Sequence, residues 1–273
     1  MRKLARSALP ALAAGLLLLL ALACGGQSGR DATSDQPSQP TASPKPLVAA
    51  PGEVLLASAD AFSEQVESMR AEMDFRVAAG GFTVDATADI SFQAPDKMHM
   101  VMDIGTLGSF ELLMLGTEIY MNIPGEGWLV FTLDDLGLDA AAFQDLLKNG
   151  GSPLDYTSLV EELGGQVEQL PDETIGGAAY SRYRGSLDFA DLMAAFSDTF
   201  GVSDALPADS LSGPLVFELW VEAETLLPYR ITLDGSFTLG SESMEFAADM
   251  RFVAYNLPVS IPEPPADATP FSP

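Results

Sequence analysis

The chain has 273 residues, 39 acidic against 13 basic side chains and a formal charge of −26, with a single Cys and a single His. So acidic a chain repels phosphate backbones, which argues against nucleic-acid binding; one Cys forms no internal disulfide, and one Cys with one His cannot build a Cys/His zinc cluster. Hydrophobic residues make up 47% and charged residues 19%, enough apolar material to bury a core.

Arg2, Lys3 and Arg6 precede an apolar run from Ala11 to Ala23. This is the layout of a secretory signal, and the run is shorter than the roughly 20 residues a membrane-spanning helix needs. Ala21-Leu22-Ala23-Cys24-Gly25-Gly26 follows. It resembles the lipobox of bacterial lipoproteins, in which the Cys receives a diacylglyceryl group and becomes the mature N-terminus. The resemblance implies a signal peptide over residues 1–23 and lipid attachment at Cys24. Loss of residues 1–23 would leave 10 basic against 39 acidic side chains, a net of −29. Residues 24–51 form the lipidated Cys and a Gly, Ser, Thr, Gln and Pro-rich linker. A flexible coil of that length has a root-mean-square span of about 30 Å, enough to hold a domain clear of the membrane.

Residues 52–265 read as one domain. Leu55, Ala59, Phe62, Val66, Met69 and Met73 recur at helical spacing and predict an amphipathic helix. The period then changes to two. Phe82, Val84, Ala86, Ala88, Ile90 and Phe92 alternate with polar residues, followed after Ala94-Pro95-Asp96 by Met98, Met100, Met102 and Ile104. Phe110, Leu112 and Met114, then Ile119, Met121 and Ile123, then Trp128 and Val130 continue the alternation; with Asp74–Ala79 they predict a six-stranded antiparallel meander.

Helical patterns are predicted over 134–148 and 153–163, a strand pair around 167–170 and 178–187, and a third short helix over 189–200. Strands resume with Leu215, Phe217, Leu219 and Val221, then Tyr229, Ile231 and Leu233, then Met244, Phe246, Ala248, Met250 and Phe252. Residues 266–273 end the chain as an extended tail. The expected fold class is α+β: a half-open antiparallel β-barrel of about ten to eleven strands, with helices against its concave face.

Several local motifs resemble those of the mycobacterial LppX and LprG type lipoproteins, which share the half-open barrel of LolA and LolB. They are Gly116-Thr117-Glu118-Ile119-Tyr120 with Trp128, Asp172-Glu173-Thr174-Ile175-Gly176-Gly177 leading to Tyr180, Leu219-Trp220-Val221 with Leu227-Pro228, and Tyr255-Asn256-Leu257-Pro258-Val259-Ser260-Ile261-Pro262. The resemblance implies a membrane-anchored, extracytoplasmic monomer that carries a lipid or glycolipid, with export machinery as a further partner. The rival reading is an envelope sensor that uses the same barrel to bind a protein.

If the helices leave the concavity partly unfilled, its apolar lining is the ligand site. The alternation nominates Phe82, Val84, Ile90, Phe92, Met98, Met100, Met102, Ile104, Phe110, Leu112, Met114, Ile119, Met121, Trp128, Leu215, Phe217, Leu219, Ile231, Leu233, Met244, Phe246, Met250 and Phe252. Methionines re-pack easily around acyl chains of variable shape. No nucleophile elbow, Walker loop or His-Glu-x-x-His motif occurs, so no catalytic residue, metal or cofactor is expected. His99 reads as a solvated strand residue, and Arg182 and Arg184 as partners of surface acids, with an anionic head group at a cavity mouth as their alternative role.

Overall fold

A computed structural model of the chain describes residues 50–132, 135, 167–188, 190, 211–239 and 242–270. Cys24, the linker up to residue 49, and, apart from residues 135 and 190, the predicted helices over 134–148, 153–163 and 189–200 lie outside the described residues.

Helix α1 runs Pro51–Gln65. Proline at its first position needs no N–H partner, and the Glu53 carboxylate accepts a hydrogen bond from the Ala50 N–H at 3.1 Å. The helix stops two turns before the predicted stripe does. Val66 is already extended, and Met69 and Met73 belong to a strand. A spacing of four residues serves one helix face and one strand face alike. The strand prevails here because Met69, Ala71, Met73 and Phe75 then share one face, and all twelve of its residues pair with the neighbouring strand.

The strands are β1 (Ser68–Ala79), β2 (Phe82–Gln93), β3 (Lys97–Asp103), β4 (Ser109–Leu115), β5 (Glu118–Ile123), β6 (Gly127–Thr132), β7 (Glu168–Ile175), β8 (Ala178–Asp188), β9 (Leu211–Ser212), β10 (Pro214–Glu222), β11 (Pro228–Leu239), β12 (Glu242–Tyr255) and β13 (Thr269–Pro270). They form one sheet in the order β13-β6-β5-β4-β3-β2-β1-β12-β11-β10-β8-β7, with β9 on β11. The two ends of that order do not pair, so the barrel is half open. Eleven of the strands have six residues or more and two have only two, which accounts for the difference from the predicted ten to eleven. One edge, β7, carries Pro171, Asp172 and Glu173, residues that discourage pairing with a further chain.

β12 closes the circuit between the two meanders by pairing with β1 on one side and β11 on the other. After it the chain turns at Asn256, whose φ of 54° suits Asn better than most residues. The Asn256 carboxamide binds the α1–β1 junction: Oδ1 accepts from the Glu67 N–H at 2.8 Å, and Nδ2 donates to the Gln65 carbonyl at 2.7 Å. Ser68 Oγ donates to the Leu257 carbonyl at 2.7 Å. The tail then reaches the far edge, where Thr269 and Pro270 lie parallel to Leu129 and Val130 of β6. It thus joins the helix corner to the other end of the first meander.

Replacing Asn256 separates geometry from bonding. Asn256→Gly keeps the positive φ and loses the carboxamide bonds, and should cost about 1–3 kcal/mol; Asn256→Ala adds backbone strain and should cost more. Urea unfolding of the two variants tests the order.

Candidate functional site

Cross-strand register puts one continuous set of apolar side chains on the face against which α1 packs. Across the first meander the rows read Ala71–Ile90–Met100–Leu112–Met121–Leu129 and Met73–Ala88–Met102–Phe110. Across the second they read Met73–Met250–Ile231–Leu219 and Phe75–Ala248–Leu233–Phe217. The central strands contribute small residues, Ala71, Ala86, Ala88 and Ala248, while β3, β4 and β5 contribute Met98, Met100, Met102, Met114 and Met121. Phe217 lies so close over Gly185 that a Cβ there would clash with its ring.

Burial of this wall falls from one end to the other. At the α1 end, Phe62 meets Phe252 and Tyr255 edge-on, with ring centroids 6.2 and 6.0 Å apart, and the Tyr255 hydroxyl donates to the Pro228 carbonyl. Met69 and Ala71 there are buried, as are Met73, Ile90, Met100 and Met250 in the middle. Towards the β1–β2 and β11–β12 hairpins, Phe75, Val77, Val84, Phe237, Met244 and Phe246 are only half-buried, and Phe82 is 63% exposed. Phe75 and Phe246 pack edge-on at 5.3 Å. The wall is greasy throughout and protected at one end.

Strand charges sit on the opposite face. Glu218 accepts from Arg182 Nη2 at 3.0 Å and from Arg184 Nε at 2.9 Å. Trp220 is buried between the Arg182 and Arg230 guanidiniums, 4.9 and 4.8 Å from its ring, and its Nε1 donates to Glu173 at 2.9 Å. Arg230 pairs with Asp249, Arg251 with Asp74, and Arg76 with Asp85. These pairs assign Arg182 and Arg184 to surface acids and leave neither free for a lipid head group on the apolar wall. Asp74, Arg76, Asp85 and Asp249 also line a shallow outer groove of about 620 Å³, in which three of the five aspartates are matched by arginine. Among the described residues no group of three His, Cys, Asp or Glu stands close enough to hold a metal ion. His99 is not simply solvated: its Nε2 lies 2.8 Å from Glu111 Oε1 on the outer face.

Of the nominated lining residues, Ile90, Met98, Met100, Met102, Leu112, Met114, Ile119, Met121, Leu215, Phe217, Leu233, Met250 and Phe252 lie in one buried cluster, with Phe92, Ile104, Phe110, Ile231 and Phe246 packed against it. Val84, Leu219 and Met244 share that face by register and are half-buried. Phe82 shares that face by register, opposite Ala79, but is 63% exposed at a hairpin tip. One nomination is corrected. Trp128 is opposite Asn122, on the outer face, whereas Leu129 opposite Met121 and Phe131 opposite Ile119 point inward. The run Trp128-Leu129-Val130-Phe131 is apolar at every position, so alternation could not fix its parity. Met69, Ala71, Met73 and Phe75 were missed because helical spacing absorbed two of them. Ala86, Ala88 and Ala248 are wall residues whose small size gave no signal of their own.

No protein-family model matches the chain, and no curated protein matches it. Similar solved structures include LprF of Mycobacterium bovis, 17% identical, covering 78% of this chain and 96% of its own with a TM-score of 0.44. The lipoprotein LppX of Mycobacterium tuberculosis is 16% identical, covering 78% of this chain and 98% of its own with a TM-score of 0.42. The MucA/MucB complex of Pseudomonas aeruginosa is 13% identical, covering 77% of this chain and 59% of that one, with a TM-score of 0.32. LprF and LppX are of the type that the sequence motifs resemble. At these identities function has to come from this chain's own side chains.

Burial pushes the Glu218 carboxyl up, but hydrogen bonds from Arg184 and Arg182 outweigh it and hold the group below the usual range. A carboxyl so held binds fewer protons folded than unfolded. Its contribution is therefore complete above the ordinary Glu value of about 4.3 and disappears as pH falls through the lower folded value. Thermal midpoints of the native chain and Glu218→Gln should differ at neutral pH and converge through that acid window. A gap constant with pH would sink the assignment.

Proposed function

We propose that the chain is a membrane-anchored extracytoplasmic lipoprotein that holds a lipid or lipidated molecule against the inner face of its half-open barrel and carries it. The observation that supports this most is the gradient along the wall. Apolar side chains continue past the protected α1 end onto half-exposed Phe75, Val77, Val84 and Phe246, where water contact is unfavourable. A flexible acyl chain laid along that surface removes it from water without needing a charged partner, and the wall offers none. Methionine suits a guest of variable shape, because thioethers re-pack. The signal and the lipobox supply the address. Cys24 would anchor the domain, and the linker would let it move over the membrane surface.

Affinity should then follow apolar area. Each methylene transferred to the wall gains about 0.8 kcal/mol, so shortening a saturated acyl probe by two methylenes should weaken binding about fifteen-fold. Phe246→Ser, on the half-exposed part of the wall, should weaken the probe several-fold while the chain still folds. Fluorescent fatty-acyl titration measures both effects, and lipid extraction of protein purified from its host identifies the natural guest. A chain that releases no lipid, ignores acyl length and instead brings down one stable protein partner would be a sensor.

A further inference from the structure

The first meander has two differently built ends. At the end towards α1, its turns and flanking residues include Glu67, Asp96, Lys97 and Glu118. At the opposite end the β1–β2 hairpin runs Val77-Ala78-Ala79-Gly80-Gly81-Phe82-Thr83-Val84, eight residues without a charge in a chain where 19% are charged. Beside it, the β3–β4 connection Ile104-Gly105-Thr106-Leu107-Gly108-Ser109-Phe110 is uncharged too. That connection abuts the β5–β6 turn, since a Cβ on Gly108 would stand 3.1 Å from Pro124. Positive φ at Gly80 and Gly81 makes the first hairpin a tight two-residue turn, and Phe82, the first residue of β2, is 63% exposed beside it. Phe82 is continuous with the wall: it pairs with Ala79, which pairs with Met244.

We propose that this end is a membrane-docking rim, in which Phe82 and the two uncharged hairpins seat in the head-group region of a lipid bilayer and bring the unprotected end of the wall to the lipid source. The inference deepens the carrier reading and rests on it. A bilayer fits better than a protein partner for two reasons. The patch is one exposed ring on small, uncharged turns, which suits shallow interfacial insertion. The wall it adjoins also needs lipid delivered out of water. The nearby acids, Glu126 in the β5–β6 turn and Asp103, whose Oδ1 accepts from the Gly105 N–H at 2.7 Å, and the net charge of the chain select for neutral over anionic lipid. An internal control exists: the β7–β8 turn Ile175-Gly176-Gly177-Ala178, at the α1 end, is uncharged as well but carries no aromatic ring.

The test is amide hydrogen exchange of the full chain with and without phosphatidylcholine vesicles, together with lipid content after purification. Docking predicts several-fold slower exchange over residues 80–84 and 105–108 with vesicles, none over 94–97 or 175–178, and weaker protection when phosphatidylglycerol is mixed in. Phe82→Asp should abolish the protection and slow acyl-probe transfer from vesicles several-fold. Lipid-loaded protein whose rim is unprotected, or equally protected turns at both ends, overturns docking and leaves the carrier reading standing. A protected rim on a chain that never holds lipid supports docking and sinks the carrier reading. Protection by a protein from the host envelope but not by vesicles overturns the bilayer as occupant.

Discussion

The structure depends on segregation of charge by strand parity. Because successive side chains of a strand point to opposite faces, β1 can offer Met69, Ala71, Met73 and Phe75 to one side and Arg70, Glu72, Asp74 and Arg76 to the other. Repeated with matching register from β13 to β7, that choice makes a sheet with one face fit for water and one that cannot bear it. A one-residue slip of β1 or β2 would place carboxylates on the apolar wall, at a cost of several kcal/mol per unpaired charge. Register is therefore fixed by desolvation before any particular contact is considered, and the apolar face has to be covered by whatever the chain or its surroundings provide.

The outer face meets the complementary difficulty. A chain with three acids for each base would repel itself if its few cations were scattered, and instead Arg182, Arg184, Arg230, Arg251 and Arg76 are each set against carboxylates across neighbouring strands. Exposed pairs contribute little singly, about 0–1 kcal/mol. The Trp220 stack is different in kind. It buries an indole between two guanidiniums that are themselves paired, so packing and charge support one another across β8, β10 and β11. That half of the sheet owes its outer stability to this column, while the other half is strapped by the tail from Asn256 to Thr269.

How much of this could be read in advance follows from where period two is unambiguous. Between Phe82 and Met121 inward positions are apolar at every second residue, and four strands with their inward residues are legible. Where one spacing fits two structures, as at Met69 and Met73, the helix was overextended. Where every residue is apolar, as at Trp128–Phe131, the face was assigned wrongly. Alanines of the wall were legible as alternating residues but not as lining, because lining is a property of what stands opposite them. The partners of Arg182 and Arg184 could be guessed from acid abundance, but Glu218 as their shared acceptor required the register of β8 on β10.

The burial gradient itself was not legible, since it depends on what stands over each row rather than on the row's own residues. At one end the wall ends under Phe62, with Asn256 locking the corner where helix becomes strand. At the other it ends in glycine turns and an exposed phenylalanine. Both ends use the same apolar alphabet, and free energy distinguishes them: aromatic contacts already satisfied within the chain have nothing further to gain from a guest, whereas Phe75, Val84 and Phe246 still have area to withdraw from water. On the carrier reading a guest is therefore favoured towards the open end, and an acyl chain would contribute more with every methylene it places there.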